Sequence, residues 1–163
     1  MTSFLSTFVN KVDRKGRVSV PAPFRAALAG QGFQGIVAYP SLTDPAIDAI
    51  GRDLLDQMIG RRFDRTLEEG DFERVLLGGG ADRTVETVLA MVSELPFDGE
   101  GRIVLPKSLA DSAEITDRAA FAGLGTRFQI WAPEAFERHQ AAAIAGLRSR
   151  LADNGGSGTE GGR

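Results

Sequence analysis

Apolar and polar positions alternate through residues 7–12, with Phe8, Asn10 and Val12 on one side and Thr7, Val9 and Lys11 on the other. This period of two marks a strand with one buried face. The alternation resumes at Val18 and Val20, after the run Asp13-Arg14-Lys15-Gly16-Arg17. Asp at the first position of that run accepts hydrogen bonds from amides two residues on, and Gly three positions later tolerates positive φ, so the pattern predicts strand, tight turn, strand. Pro21 has no amide to donate and ends the ladder. Pro23 to Ala29, followed by Gly30, predicts a short helix with proline near its start and glycine past its end. Gly35 to Tyr39 then predicts a strand, and residues 120–131 a hairpin.

The unit occurs twice. VDRKGRVSVP at 12–21 aligns with FDGEGRIVLP at 97–106 at an offset of 85 residues, which pairs Asp13 with Asp98, Gly16 with Gly101, Arg17 with Arg102 and Pro21 with Pro106. Val12, Val18 and Val20 meet Phe97, Ile103 and Leu105, and GIVAYP at 35–40 echoes FQIWAP at 128–133. An internal repeat of this kind predicts two copies of one module, at 7–54 and 92–135. Between them, Asp44-Pro45 is expected to start a helix with Ile47, Ile50, Leu54 and Met58 on one face, continued by the charged stretch 61–74, so that 55–91 forms a helical connector with a hinge or linker at Gly78-Gly79-Gly80. Pro133 to Leu151 is amphipathic, with Phe136, Ala143, Leu147 and Leu151 along one side, giving a C-terminal helix over 136–153 that is expected to pack on the module or on a neighbouring subunit. Residues 154–163 offer nothing apolar to bury and are expected to be disordered.

Composition narrows the chemistry. The chain has 163 residues, 42% hydrophobic and 25% charged, enough for one domain or two small ones. It has no cysteine, which excludes disulfides, thiolate nucleophiles and cysteine-bound zinc. Its one histidine, His139, sits on a predicted helix without a G-x-S-x-G motif to support acyl chemistry. Glu68, Glu69 and Asp71 read as a wet helical face; a hydrolase built on them would lack a base and a fixed geometry. The glycine run at 78–80 is not followed by Lys and Ser or Thr, so it is no phosphate loop. No enzyme activity, metal or cofactor is expected. No run approaches the roughly 20 apolar residues of a membrane span, and the N-terminus lacks the order of a signal peptide, so a cytoplasmic protein is expected.

A net charge of −3 is unusual for a nucleic-acid binder. The charge is unevenly spread, however. Residues 11–25 carry Lys11, Arg14, Lys15, Arg17 and Arg25 against the single acid Asp13. A turn explains Asp13, Gly16, Asp98 and Gly101 as loop-shaping residues, but it needs no guanidinium. A planar five-donor fork on a β-loop suits phosphates and the O6 and N7 edge of guanine, in a major groove wide enough for a two-stranded ribbon. Arg17 and Arg102 are therefore the candidate DNA-binding residues that the turn itself points to.

These segments resemble the MraZ family of bacterial transcriptional regulators, whose hallmark is a tandem pair of SpoVT-AbrB modules, each with a D-x-x-G-R-x-x-x-P hairpin. The likeness runs through STFVNKVDRKGRVSVPAPFR, VAYP, RVLLGG at 74–79, DGEGRIVLP and GTRFQIW, and is poorest over ADRTVETVLAMVSELP. The resemblance implies an α+β fold in which two swapped-hairpin β modules form an intrachain pseudo-dimer with flanking helices. It implies homo-oligomeric rings that bind double-stranded DNA at G-rich direct repeats in the promoter of the division and cell-wall gene cluster, nucleoid association, and repression. It assigns base reading to Arg17, with Lys15 and Arg14 in the same loop and Arg102 in the second. Glu100 stands where the first loop has Lys15, so the second loop is expected to attract phosphate less well. AbrB-like modules also occur in antitoxins, but the short glycine-rich tail here has no apolar anchor with which to wrap a toxin.

Overall fold

The alternation before Asp13 and the valines after Arg17 become two strands, and these do not pair with each other. In the computed structural model, which describes residues 3–68, 70 and 83–156, β1 (Thr7–Lys11) and β2 (Arg17–Ser19) are linked across the turn by the Val12–Val18 bridge and by Asn10 Nδ2, which donates to the Ser19 carbonyl at 2.7 Å. They are followed by α1 (Ala22–Leu28), β3 (Gly35–Pro40), β4 (Ile47–Ile50), α2 (Arg52–Glu68), α3 (Arg83–Met91), β5 (Ser93–Pro96), β6 (Arg102–Val104), α4 (Lys107–Ser112), β7 (Arg118–Gly123), β8 (Phe128–Trp131) and α5 (Pro133–Gly156). The chain divides into two units, Met1–Ala132 and Pro133–Arg163, the second consisting of α5 in its described part.

Within the first unit the strands form a six-stranded antiparallel sheet in the order β1-β7-β8-β4-β3-β5 and a two-stranded ribbon, β2-β6. The order reads the same from either edge once β1 is exchanged with β5, β3 with β7 and β4 with β8. Register obeys the same exchange: Val18 faces Ile103 at the middle of the ribbon, and Asp48 faces Gln129 at the middle of the sheet. Each hairpin arm thus finds its partner in the other half of the chain. The observed architecture is α+β, as expected.

The sheet face carrying Ile36, Ala38, Ile47, Ala49, Phe121, Phe128 and Ile130 packs against Val18 and Ile103 of the ribbon, Phe24 and Leu28 of α1 and Leu109 of α4. Phe4, Phe24 and Phe128 stack in tilted and edge-on contacts at 4.9–5.3 Å, filling the space beside α1. On the opposite face, Leu54 and Leu55 of α2 cover Val37 and Ile50.

Three expectations change. Residues 44–58 are not one helix: Ile47 to Ile50 form β4, and α2 begins only at Arg52. All four β4 residues are buried because β3 and β8 flank the strand and both of its faces are covered. Such a short central strand shows no polar alternation, and Ile47 and Ile50 mimic a helical spacing. Met58, expected on the buried face, is 52% exposed. The equivalence of GIVAYP with FQIWAP also fails, since register matches β3 with β7 and β4 with β8. Finally, Asn154, Gly155 and Gly156 continue α5, while the rest of the expected disordered tail lies outside the described residues. The 61–74 stretch is helical to Glu68; the glycine hinge and most of the connector between α2 and α3 likewise lie outside the described residues. No helix among the described residues is long and apolar enough to cross a membrane.

Candidate nucleic-acid interface

Both loops are closed by the same set of bonds. Asp13 Oδ1 accepts from the amides of Lys15 and Arg17, each at 2.9 Å, while the Gly16 amide donates to the Asp13 carbonyl at 3.0 Å. In the second loop Asp98 Oδ1 accepts from the amides of Glu100 and Arg102, each at 2.9 Å, and the Gly101 amide donates to the Asp98 carbonyl at 3.1 Å. Gly16 and Gly101 hold φ of +80° and +76°, the left-handed region that glycine enters without steric cost. The amide of Arg17 donating to Asp13 holds that carboxyl below the usual carboxylate range, and Arg102 does the same for Asp98.

The turn also engages the guanidinium, contrary to expectation. Arg17 Nε donates to Asp13 Oδ2 at 2.6 Å, and Arg102 Nε donates to Asp98 Oδ2 at 2.9 Å. Such a contact orients the side chain while leaving the Nη edge of the fork available. For Arg17, the Nη atoms have no hydrogen-bond partner among the described residues, whereas Arg102 Nη2 lies 3.5 Å from Glu100 Oε2. Asp98 and then Glu100 push the Arg102 guanidinium further toward its charged form.

The ribbon register brings the two arginines onto one surface. Arg17 stands opposite Val104 and Ser19 opposite Arg102. Val18 and Ile103 point into the core, so Arg17, Ser19, Arg102 and Val104 occupy the outward face. The arginines are diagonal neighbours there, about 7–8 Å apart at the backbone. Arg14 and Lys15 are exposed at the first loop's tip. Each loop also leans on the opposite half: the Leu105 amide donates to the Gly16 carbonyl at 2.8 Å, and the Val20 amide to the Gly101 carbonyl at 3.2 Å.

The sequence reading missed two members of this surface as site residues. Arg25 donates from Nε to the Val20 carbonyl at 3.0 Å and lays its guanidinium over Gly101; its signal was its place in the basic run 11–25. Val104 is 56% exposed in an otherwise polar face, and strand alternation after Arg102 points it outward. His139 is exposed on α5, Glu68 is exposed at the end of α2, and Glu69 and Asp71 lie outside the described residues. Among the described residues no group of three His, Asp or Glu side chains is placed to hold a metal ion.

Residues 89–153 match the family model described as "MraZ protein, putative antitoxin-like". The chain is 44% identical over 143 residues to the "Transcriptional regulator MraZ" of Rickettsia akari (strain Hartford), covering 85% of this chain and 87% of the relative. Over 148 residues it is 44% identical to the protein of the same name from Rickettsia bellii (strain OSU 85-389), covering 88% and 90%. The Rickettsia peacockii (strain Rustic) protein of that name is 40% identical over 143 residues, again with 88% and 90% covered.

Proposed function

This chain belongs to the MraZ family of transcriptional regulators, and we propose that it acts by placing the β2-β6 ribbon and the Asp13–Arg17 loop in the major groove of double-stranded DNA. One observation carries the reading: Arg17 is aimed by Asp13 through Nε, with its two terminal nitrogens open, on an outward ribbon face beside the exposed Arg14 and Lys15. Two parallel N–H groups on a pre-oriented fork match O6 and N7 of guanine, and the neighbouring cations suit flanking phosphates. We read the cross-paired halves as two swapped-hairpin modules forming a pseudo-dimer, at 7–54 and 92–135, with the 55–91 connector between them in the chain and the C-terminal helix following the second. Several copies joined in a ring would engage G-rich direct repeats together and gain avidity of about 10²–10⁴. Occupied repeats in the promoter of the division and cell-wall cluster would then repress transcription, in a cytoplasmic, nucleoid-associated protein without catalysis.

The test is promoter footprinting with purified protein, followed by titration of the protected duplex and of duplexes with single guanines replaced. Arg17→Ala should lose about 1–3 kcal/mol of discrimination at one guanine while keeping much of the non-specific binding. Undiminished preference for that guanine in the variant would remove Arg17 from base reading.

A further inference from the structure

The fold presents two equivalent arginine loops, yet the loops are opposite in charge. Arg14, Lys15 and Arg17 against Asp13 give the first loop +2, while Arg102 against Asp98 and Glu100 leaves the second at −1. The backbone does not cause this difference, because the closing hydrogen bonds and the glycine φ angles are the same in both. It arises at two adjacent positions of the repeat, where Glu100 stands in place of Lys15 and Gly99 in place of Arg14.

We propose that Glu100 silences the second loop, so that each chain reads DNA through Arg17 alone although the fold offers two arginines. This inference rests on the DNA-binding reading above. The geometry supports two effects of one side chain. Glu100 Oε2 lies 3.5 Å from Arg102 Nη2, on the edge of the fork that would face a guanine, while Asp98 already holds Nε at 2.9 Å. Both edges of Arg102 are therefore engaged within its own loop, whereas Arg17 has its Nη edge open. Glu100 is also 74% exposed, so in a complex its carboxylate meets the phosphates that Lys15 would attract at the equivalent place. With Arg17 and Arg102 diagonal neighbours on one ribbon face, both could otherwise reach the same groove. A symmetric fold is thereby made to read an asymmetric site.

Glu100 is a good position to change, because the side chain that closes the turn is that of Asp98, and Glu100 contributes only its amide. Operator and scrambled duplexes would be titrated from 50 to 200 mM salt with the wild type, Glu100→Gln, Glu100→Lys, Arg102→Ala, and each Glu100 change combined with Arg102→Ala. Circular dichroism and thermal melting would verify the fold. Glu100→Gln should tighten binding by releasing Arg102, and Glu100→Lys should tighten it further. For each phosphate newly contacted, the salt slope should steepen by about 0.9, which is about 3.5-fold more affinity lost across that salt range. Arg102→Ala should cost the wild type little and should remove the part of the Glu100→Gln gain that comes from releasing Arg102, leaving only the part due to lost phosphate repulsion. Placed in the Arg17→Ala chain, Glu100→Lys should recover part of the lost binding. Glu100→Gln binding no tighter than wild type, or a gain that persists in full without Arg102, overturns the proposal. If wild-type binding depends on Arg17 and no Arg102-dependent gain is seen, only the role of Glu100 fails; if wild-type binding does not depend on Arg17, the underlying reading fails and the role of Glu100 with it.

Discussion

The two loop glycines share a backbone conformation but meet different obstacles, so alanine at each should behave differently in a double-mutant cycle. A Cβ on either residue pays for a left-handed φ, about 1–2 kcal/mol. At Gly16 the new carbon would also stand 2.9 Å from the carbonyl oxygen of Leu105, a backbone atom fixed by the adjacent bond from the Leu105 amide to the Gly16 carbonyl. Relief requires the loop to lift off the second half, at the expense of that bond, worth about 0.5–1.5 kcal/mol. The expected total for Gly16→Ala is about 2–3 kcal/mol, with a fall in melting temperature of about 2–4 °C for each kcal/mol. At Gly101 the obstacle is the guanidinium of Arg25, the far end of a flexible side chain that can swing away once its bond to the Val20 carbonyl is given up. In an Arg25→Ala chain, Gly101→Ala should therefore cost only the φ term, leaving a coupling of about 1 kcal/mol between positions 25 and 101. Gly16→Ala should cost the same with or without Arg25. Thermal and urea unfolding of the seven chains (the wild type, the three single variants, the two doubles and the triple) measure these terms. Equal coupling of Arg25 to both glycines, or none to Gly101, would show that the second loop is not held under Arg25 as the geometry requires.

Two further outcomes concern the buried polar centre and the loop carboxylates. Asp48, 6% exposed, accepts from Gln129 at 2.9 Å and Arg127 at 2.8 Å, so Asp48→Ala should strand a buried amide and cost about 1–3 kcal/mol, with Asp48→Asn milder; an unchanged melting temperature in both would deny the network a structural role. Asp13 and Asp98 have folded-state affinities for protons below the unfolded value, so their contribution is complete above about pH 4 and is lost as the pH falls through the depressed folded values. Replacing both by Asn should flatten the acid limb of a melting-temperature profile between pH 2 and 5 and leave its neutral slope unaltered; an acid limb as steep as that of the wild type would contradict the assignment.

The turns were legible because their chemistry is local: Asp13 and Asp98 bond amides two and four residues on, Gly16 and Gly101 take positive φ, and both facts are written in a five-residue window. The short helix after Pro21, the strand at Gly35 and the hairpin of β7 and β8 were legible for the same reason, whereas the helix after Pro106 was not read from the sequence. Strand β4 was not, because a central strand buried on both faces loses the alternation that identifies a strand, and its partner β8 lies about 80 residues away in the chain. The bond from Arg17 Nε to Asp13 was missed for a different reason. Spacing of four in a turn brings the two side chains together only after the backbone has folded back, and the same residues also invite a wholly functional reading.

Symmetry connects these successes and failures. Offsets between equivalent residues drift from 85 at Val18 and Ile103, through 83 at Gly35 and Arg118, to 81 at Asp48 and Gln129, yet every pair sits at a matching register position. Four residues have thus been gained or lost between the halves in the connections flanking β3 and β7, without disturbing strand pairing, as exposed loops permit. A search at one fixed offset finds the hairpins and then misassigns the strands beyond them. Inside the fold, equivalence is kept where packing demands it: Val18 with Ile103, and Ile47 with Phe128. It is abandoned at two kinds of position. On the axis of the sheet, Asp48 faces its own counterpart, and two aspartates there would place like charges together in a buried site; an amide at 129 donates to the acid instead. At the loop tips, where no packing constrains the side chain, Lys15 and Glu100 differ in sign. The first divergence lets two halves of one chain pair with each other better than either would pair with a copy of itself, and the second leaves their product with one arginine to offer.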